Sequence, residues 1–313
     1  MKYYLGRLFR SFVTLIIVVT VVFLLMRLMP VEGYFGSSYD KLDEAQKVAK
    51  LENLGLLDPW YIQLKNFYTD LLRGDLGQSI TYRPKAQISD IMSDKIFISL
   101  KFGLASLCVS LVLGLSLGVL MARFKGKIWD KLGTGYVVGA NAVPAVIYYL
   151  LIQVFFTDWF KLPLLFAKND ARSWILPVLC LSLVNIAYYA MWIRRYMVDE
   201  LNKDYVRLAR AKGLRNKEIM VRHVMRNAFV PMAQYLPASI LYTVAGSIYV
   251  ESLFSIPGTG GLLVTAIQRQ DNTLVQALVL LYSSIGIIGL MLGDILMASF
   301  DPRIKLSSEG GSR

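Results

Sequence analysis

From Phe102 to Ala122 the chain reads FGLASLCVSLVLGLSLGVLMA, 21 residues without a charge. A helix rises 1.5 Å per residue, so this run covers about 30 Å, the thickness of a bilayer's hydrocarbon layer. Ser106, Ser110, Gly114, Gly118 and Ala122 recur at intervals of four, which gathers small side chains on one helical face. In lipid, small residues let helix backbones approach closely. The run therefore reads as a membrane-spanning helix with a packing face, turned towards another part of the chain or a second membrane subunit. Gly135 with Gly139, and Gly289 with Gly293, repeat the spacing.

Five more runs lack charge: Ser11–Met26, Leu132–Thr157, Ser173–Ile193, Asn227–Val250 and Asn272–Gly293. The first is short, but Arg10 and Arg27 flank it and can reach the headgroups. No small-residue cleavage site precedes Arg27, so this run reads as a span and not a cleaved signal. The apolar fraction is 55% and the mean hydropathy +0.48, above the roughly 45–50% apolar content of soluble domains. The expected fold is an all-α polytopic membrane domain over residues 1–313. Its six spans lie at roughly 9–29, 99–122, 133–157, 174–195, 229–252 and 273–297. Pro144 interrupts the third, and Pro231 and Pro237 the fifth.

Charge orients the bundle. With the N-terminus inside, the cytoplasmic segments hold 20 basic and 8 acidic residues, which carries the whole net charge of +12. The outer segments balance at 14 of each. This is the positive-inside pattern, and it puts both termini in the cytoplasm. A basic inner face suits anionic lipid and needs no nucleic acid as a partner. Cys108 and Cys180 both fall inside spans; they are too few for a disulfide framework and show no metal-ligand spacing.

Residues 30–97 form a long extracytoplasmic segment. Asp58-Pro59-Trp60 is a helix start, with Asp as the cap and Pro as the first helical residue. Apolar side chains at Trp60, Tyr61, Leu64, Phe67, Tyr68, Leu71 and Leu72 follow at helical spacing, and Gly74 is placed to end the helix. It is expected to pack on the bundle.

The loop at 198–228 holds the most chemistry. From Glu200 it runs ELNKDYVRLARAKGLRNKEIMVRHVMRNAFVP to Pro231. Tyr205, Leu208, Ala209 and Lys212 share a helical face, and Gly213 ends that helix because only glycine enters the left-handed turn cheaply. Asn216 can cap a second helix, with Glu218 near its positive end. Two short helices joined at a glycine bend thus project into the cytoplasm and show apolar and Arg side chains. Docking into a partner's groove needs such a ridge.

Asp204-Tyr205-Val206-Arg207-Leu208-Ala209-Arg210-Ala211-Lys212-Gly213-Leu214 is similar to the signature loop of permeases in binding-protein-dependent ABC importers. Its form resembles the oligopeptide, dipeptide and nickel branch. Arg222-His223, Arg226-Asn227-Ala228 and Pro231 fit that branch. Leu54-Gly55-Leu56-x-Asp58-Pro59 and Gly74-Asp75-Leu76-Gly77-x-Ser79 resemble the outer segment of its first permease. Glu251-x-x-Phe254-Ser255-x-Pro257-Gly258-x-Gly260 and Asp301-Pro302-Arg303 resemble its C-terminal third. Pro30-Val31-Glu32-Gly33 departs from the Pro-Gly-Asp-Pro usual after the first span.

The resemblance implies a type I ABC importer fold and half of a translocation pore for oligopeptides, with dipeptide, nickel or glutathione as alternative cargo. The implied partners are a second homologous permease, two ATP-binding subunits, and an extracytoplasmic peptide-binding lipoprotein, all at a bacterial cell membrane. The contact with the ATP-binding subunits would fall on Asp204, Tyr205, Arg207, Leu208, Ala209, Lys212, Gly213 and Leu214. The candidates for the pore or its outer gate are Glu251, Phe254, Pro257, Gly258 and Asp294. No GxxxxGK[ST] occurs, so ATP and Mg are expected in the partner subunits and no cofactor or metal on this chain. There is no HExxH, and the single histidine, His223, stands alone, so the chain is not expected to be an enzyme. A self-contained secondary carrier is the rival class. It would need buried acidic relays at mid-span, for which only Glu251 and Asp294 offer themselves.

Overall fold

A computed structural model describes residues 2–300 apart from 234 and 246, and every helix and strand element assigned among these is helical. In chain order the helices are α1 (Lys2–Met26), α2 (Glu44–Asn53), α3 (Trp60–Leu72), α4 (Ile88–Arg123), α5 (Ile128–Ala142), α6 (Ala145–Phe160) and α7 (Ile175–Leu201). There follow α8 (Asp204–Ala211), the single turn α9 (Asn216–Glu218), a π-helix (Ile219–Met225), α10 (Arg226–Ala233), α11 (Leu236–Ala245), α12 (Ile248–Leu253), α13 (Thr259–Gln268) and α14 (Asn272–Phe300).

Among the described residues, four stretches are long and apolar enough to cross a membrane: Leu8–Met26, Ile88–Arg123, Ala171–Leu201 and Asn272–Gly293. The pair α5 and α6 makes a fifth if it counts as one span, although it bends by 106°. The sequence reading puts a single span at 133–157. Val143 (ψ 129°) and Pro144 (ψ 128°) are both extended. Proline keeps its predecessor out of the helical region, and two extended residues in a row turn the chain far more than a kink does. The expected fifth span, 229–252, is divided among α10, α11 and α12. Pro231 lies inside α10 and costs it a backbone donor, and Pro237, the second residue of α11, lacks the N–H that a continuous helix would bond back to Ala233.

The central contact joins α4 and α7. The stripe of small residues on α4 makes it. A methyl on Gly114 would lie 2.9 Å from Tyr189 Cβ, and one on Gly118 would lie 2.5 Å from the Ala190 carbonyl oxygen. Ser110 donates to the Ser106 carbonyl (2.6 Å) and more weakly across to that of Ser182 (3.3 Å). The stripe therefore packs within the chain. Gly289 similarly brings α14 onto α11 at Ala238. Gly135 and Gly139 depart from this pattern: a methyl on either would meet nothing within 4 Å.

Outside the bundle, α3 begins one residue later than the sequence suggests, with Pro59 as its cap, and lies along α1. The Tyr68 hydroxyl donates to the Ile16 carbonyl (3.1 Å) beside the Thr20 hydroxyl, and the Phe67 and Phe23 rings sit 4.8 Å apart. Gly74, with φ +75°, ends α3 as its sequence position suggests. A second tie is Asp271, fully buried ahead of α14. Its carboxylate accepts the Ser79 hydroxyl (2.6 Å), the backbone N–H groups of Ile80, Thr81 and Tyr82 (3.0 Å each), and the N–H of Leu274 (3.2 Å). One side chain thereby caps α14 and fastens residues 79–82 to it. Burial pushes this carboxyl up, but the Ser79 and backbone bonds outweigh it and hold the group below the ordinary carboxylate value.

Candidate functional site

The loop after α7 is built as a rigid arm. Lys212 closes α8, and Gly213 follows with φ +77°. The N–H of Leu214 reaches the Ala209 carbonyl (3.2 Å) and that of Gly213 the Arg210 carbonyl (2.9 Å). This paired pattern is a Schellman motif, which satisfies carbonyls that a helix end otherwise leaves open. Beyond it, Arg215 caps the next turn, where the sequence reading put Asn216, and the chain continues into the π-helix.

The predicted ridge is divided by the packing. Val206 and Ala209 are buried, Tyr205 and Leu214 partly so, and all four join a cluster with Met197, Ile219 and Val224. Asp204, Arg207, Leu208, Lys212 and Gly213 face outward. Leu208 remains 56% exposed, an apolar side chain between two charged neighbours on the outer face. The face shared by Tyr205, Leu208, Ala209 and Lys212 is therefore corrected: the apolar half of α8 docks on its own arm, because Val206 and Ala209 find the π-helix and the end of α7 beside them. The Arg207–Asp204 ion pair (3.2 Å) lies in the open, where such pairs add little stability.

Tyr205 ties the arm together. Its hydroxyl bonds the Glu200 carboxylate at the end of α7 (2.5 Å) and accepts from the Asn227 amide at the start of α10 (3.1 Å). Burial, then the bond to Glu200, pushes this phenol up to about 12. Higher up, Arg194 of α7 grips Asp130 of α5 with two bonds (2.5 and 2.8 Å), and the Gly126 N–H adds a third (2.8 Å). The sequence reading gives neither residue a part in a pair. Their spacing of 64 residues carries no local signal.

At the opposite end the structure gathers Glu251 of α12 with Phe254, Pro257 and Gly258 of the turn between α12 and α13. Glu251 is buried, with one oxygen bonded by the Ser99 hydroxyl (2.7 Å) and the other by the Gly261 N–H (3.0 Å). A methyl on Gly258 would lie 2.4 Å from Ser99 Oγ, so only glycine lets the turn close here. Phe254 is fully buried beside Phe102 and Leu176, and Pro257 is exposed. Ser99, which joins α4 to this turn, was not among the expected residues. Asp294 belongs to α14, and its side chain lies outside the described residues. Among the described residues no group of acidic, Cys and His side chains could hold a metal ion.

Comparison with known proteins agrees with this architecture. The glutathione transport system permease protein GsiC of Salmonella typhimurium is 32% identical over 307 residues, 97% of this chain and 99% of that protein. The oligopeptide transport system permease protein OppB of Escherichia coli is 30% identical over 308 residues, with the same coverage. The oligopeptide transport system permease protein AmiC of Streptococcus pneumoniae is 39% identical over 212 residues, 67% of this chain. The match spans 42% of AmiC's length. A crystal structure of an amino acid ABC transporter with histidines shares the fold, with a TM-score of 0.52 over 69% of this chain and 94% of that one, at 16% identity. Residues 114–306 match the family described as binding-protein-dependent transport system inner membrane component, and the chain belongs to that family.

Proposed function

We propose that this chain is the permease subunit of an ATP-driven importer and forms half of a translocation pore for oligopeptides. The observation that carries the reading is the arm of α8: a short helix, internally braced, that presents Arg207, Leu208 and Lys212 to the cytoplasm ahead of a left-handed glycine. The names of the relatives, oligopeptide and glutathione permeases, support a peptide cargo. In this reading six spans cross the membrane with both termini inside. The α5–α6 pair serves as the third span, the pieces α10 to α12 as the fifth, and residues 30–97 stand outside. A second permease completes the pore, two ATP-binding subunits dock on α8, and an external lipoprotein delivers the peptide. Closure of the ATPase pair would move α8 as a rigid body and switch the pore between its two faces.

Two substitutions test the arm. Arg207→Glu reverses the exposed charge at the contact without touching the buried side of α8. It is expected to cut recovery of the ATP-binding subunits in a detergent pull-down at least tenfold, with the second permease retained. Unchanged recovery would remove Arg207 from the contact. Gly213→Val forces a β-branched residue to φ +77°, which costs roughly 1–2 kcal/mol and loosens the Schellman turn. Peptide uptake per ATP hydrolysed is expected to fall at least tenfold while the subunit still inserts. An unchanged ratio would show that the bend does not transmit motion.

A further inference from the structure

A cavity of about 360 Å³ opens among α4, α6, α7, α11 and α12, within the roughly 300–1,000 Å³ range of small-ligand sites. Its wall runs from Ser99, Ser247 and Glu251, at the outer ends of their spans, to Asn185, Tyr189 and Ser239 near mid-depth. It therefore occupies the outer half of the membrane region. Hydrogen-bonding groups in hydrocarbon are costly unless satisfied, and this wall leaves bonding capacity open on Asn185 and Tyr189. Asn185 donates one amide N–H to the Leu181 carbonyl (3.1 Å), and the amide oxygen has no partner among the described residues. The Tyr242 ring lines the cavity's edge, but its hydroxyl lies beside Gly286 of α14, away from this wall. Tyr189 donates to Ser239, which donates on to the Tyr235 carbonyl (3.0 Å each), leaving the Tyr189 oxygen able to accept.

The wall carries almost no charge. Among the described residues no Lys, Arg or His lines it, and the one acid among them, Glu251, has both oxygens engaged by Ser99 and Gly261. A lining of hydroxyl and amide groups offers both donors and acceptors. A peptide backbone presents the complementary set at every residue, whatever its side chains. We propose that this cavity is an intramembrane peptide site, in which Asn185 and Tyr189 hold the backbone and the neutral wall passes peptides of either charge. The proposal rests on the importer reading and adds the place and the chemistry of the substrate contact.

The test uses the full importer with its partners in proteoliposomes. Asn185 is exposed to the cavity, so Asn185→Lys adds a fixed charge to the wall with little disturbance of packing. Uptake of trilysine relative to triglutamate is expected to fall at least tenfold compared with the same ratio in the wild type. Dividing by the wild-type ratio cancels the external binder's own preference. An unchanged ratio in an assembled, ATP-hydrolysing complex would overturn the site. If Asn185→Lys does not assemble, Asn185→Cys decides, with Cys108 and Cys180 replaced by Ala. A water-soluble methanethiosulfonate is expected to label it, and trialanine with the binder to slow labelling at least threefold. Absent labelling, or labelling that peptide does not slow, would overturn the proposal. A wild-type complex that takes up none of these tripeptides would overturn the importer reading itself, and the site with it.

Discussion

Replacing Asp271 by alanine is expected to detach the outer segment from the bundle. The carboxylate is the acceptor for the Ser79 hydroxyl and three consecutive backbone N–H groups, in a position sealed from water. Each buried donor left without a partner costs about 1–3 kcal/mol, and with partial recovery by water the sum is about 3 kcal/mol or more. Asp271→Ala should therefore unfold well below the wild type in a thermal scan of the purified complex. Proteolysis within residues 79–86 should become fast. The effect has a pH signature. The folded-state carboxyl lies below its ordinary value, so its stabilisation is fully present above the unfolded pKa of about 3.9 and is lost as pH falls through the folded value. The gap between wild type and variant should accordingly close as pH falls below about 4. A gap that stays constant from pH 7 to pH 3 would show that the carboxylate's charge is not what holds the segment.

Gly118→Ala should be the most damaging single methyl in the membrane part. The added carbon would sit 2.2 Å from Ile193 Cγ2 and 2.5 Å from the Ala190 carbonyl oxygen. The side chain can rotate away, but the carbonyl belongs to the backbone of α7, so the two helices must separate. Overpacking of this kind costs about 1–3 kcal/mol, and here it also strains the Ser110–Ser182 contact two turns away. Gly139→Ala supplies the matched control, since its methyl meets nothing within 4 Å. The expected result is a thermal midpoint several degrees lower for Gly118→Ala and unchanged for Gly139→Ala. Equal effects would mean that helix propensity, not the close approach of α4 and α7, governs both positions.

The contrast between these residues shows what the sequence makes legible. The stripe on α4 is periodic, so its face could be read at once; which helix it meets could not, and Gly135 with Gly139 show the same spacing with no neighbour. Gly213 is legible because a glycine after a helical pattern carries its own conformational reason, and the observed φ of +77° matches it. Asp271 is not, because the donors it serves lie about 190 residues upstream. The pairings of Asp130 with Arg194 and of Glu251 with Ser99 are hidden for the same reason: each is made by folding two distant helices together. Pro144 marks a break in the sequence, but the 106° turn depends on Val143 also being extended. The buried side of α8 was misread because Val206 carries no more apolar signal than Leu208. Only the neighbouring arm decides which of them is covered.

The account's central claim is that the chain works as one subunit of an importer, with α8 as its contact to the motor. The direct measurement is a mild-detergent pull-down of the tagged chain from its native membrane, with mass spectrometry of the proteins recovered. The account predicts a second, similar permease and one or two P-loop ATPases, the latter depleted by Arg207→Glu. Recovery of the chain alone, stable and monodisperse, would contradict it and point to a self-contained carrier.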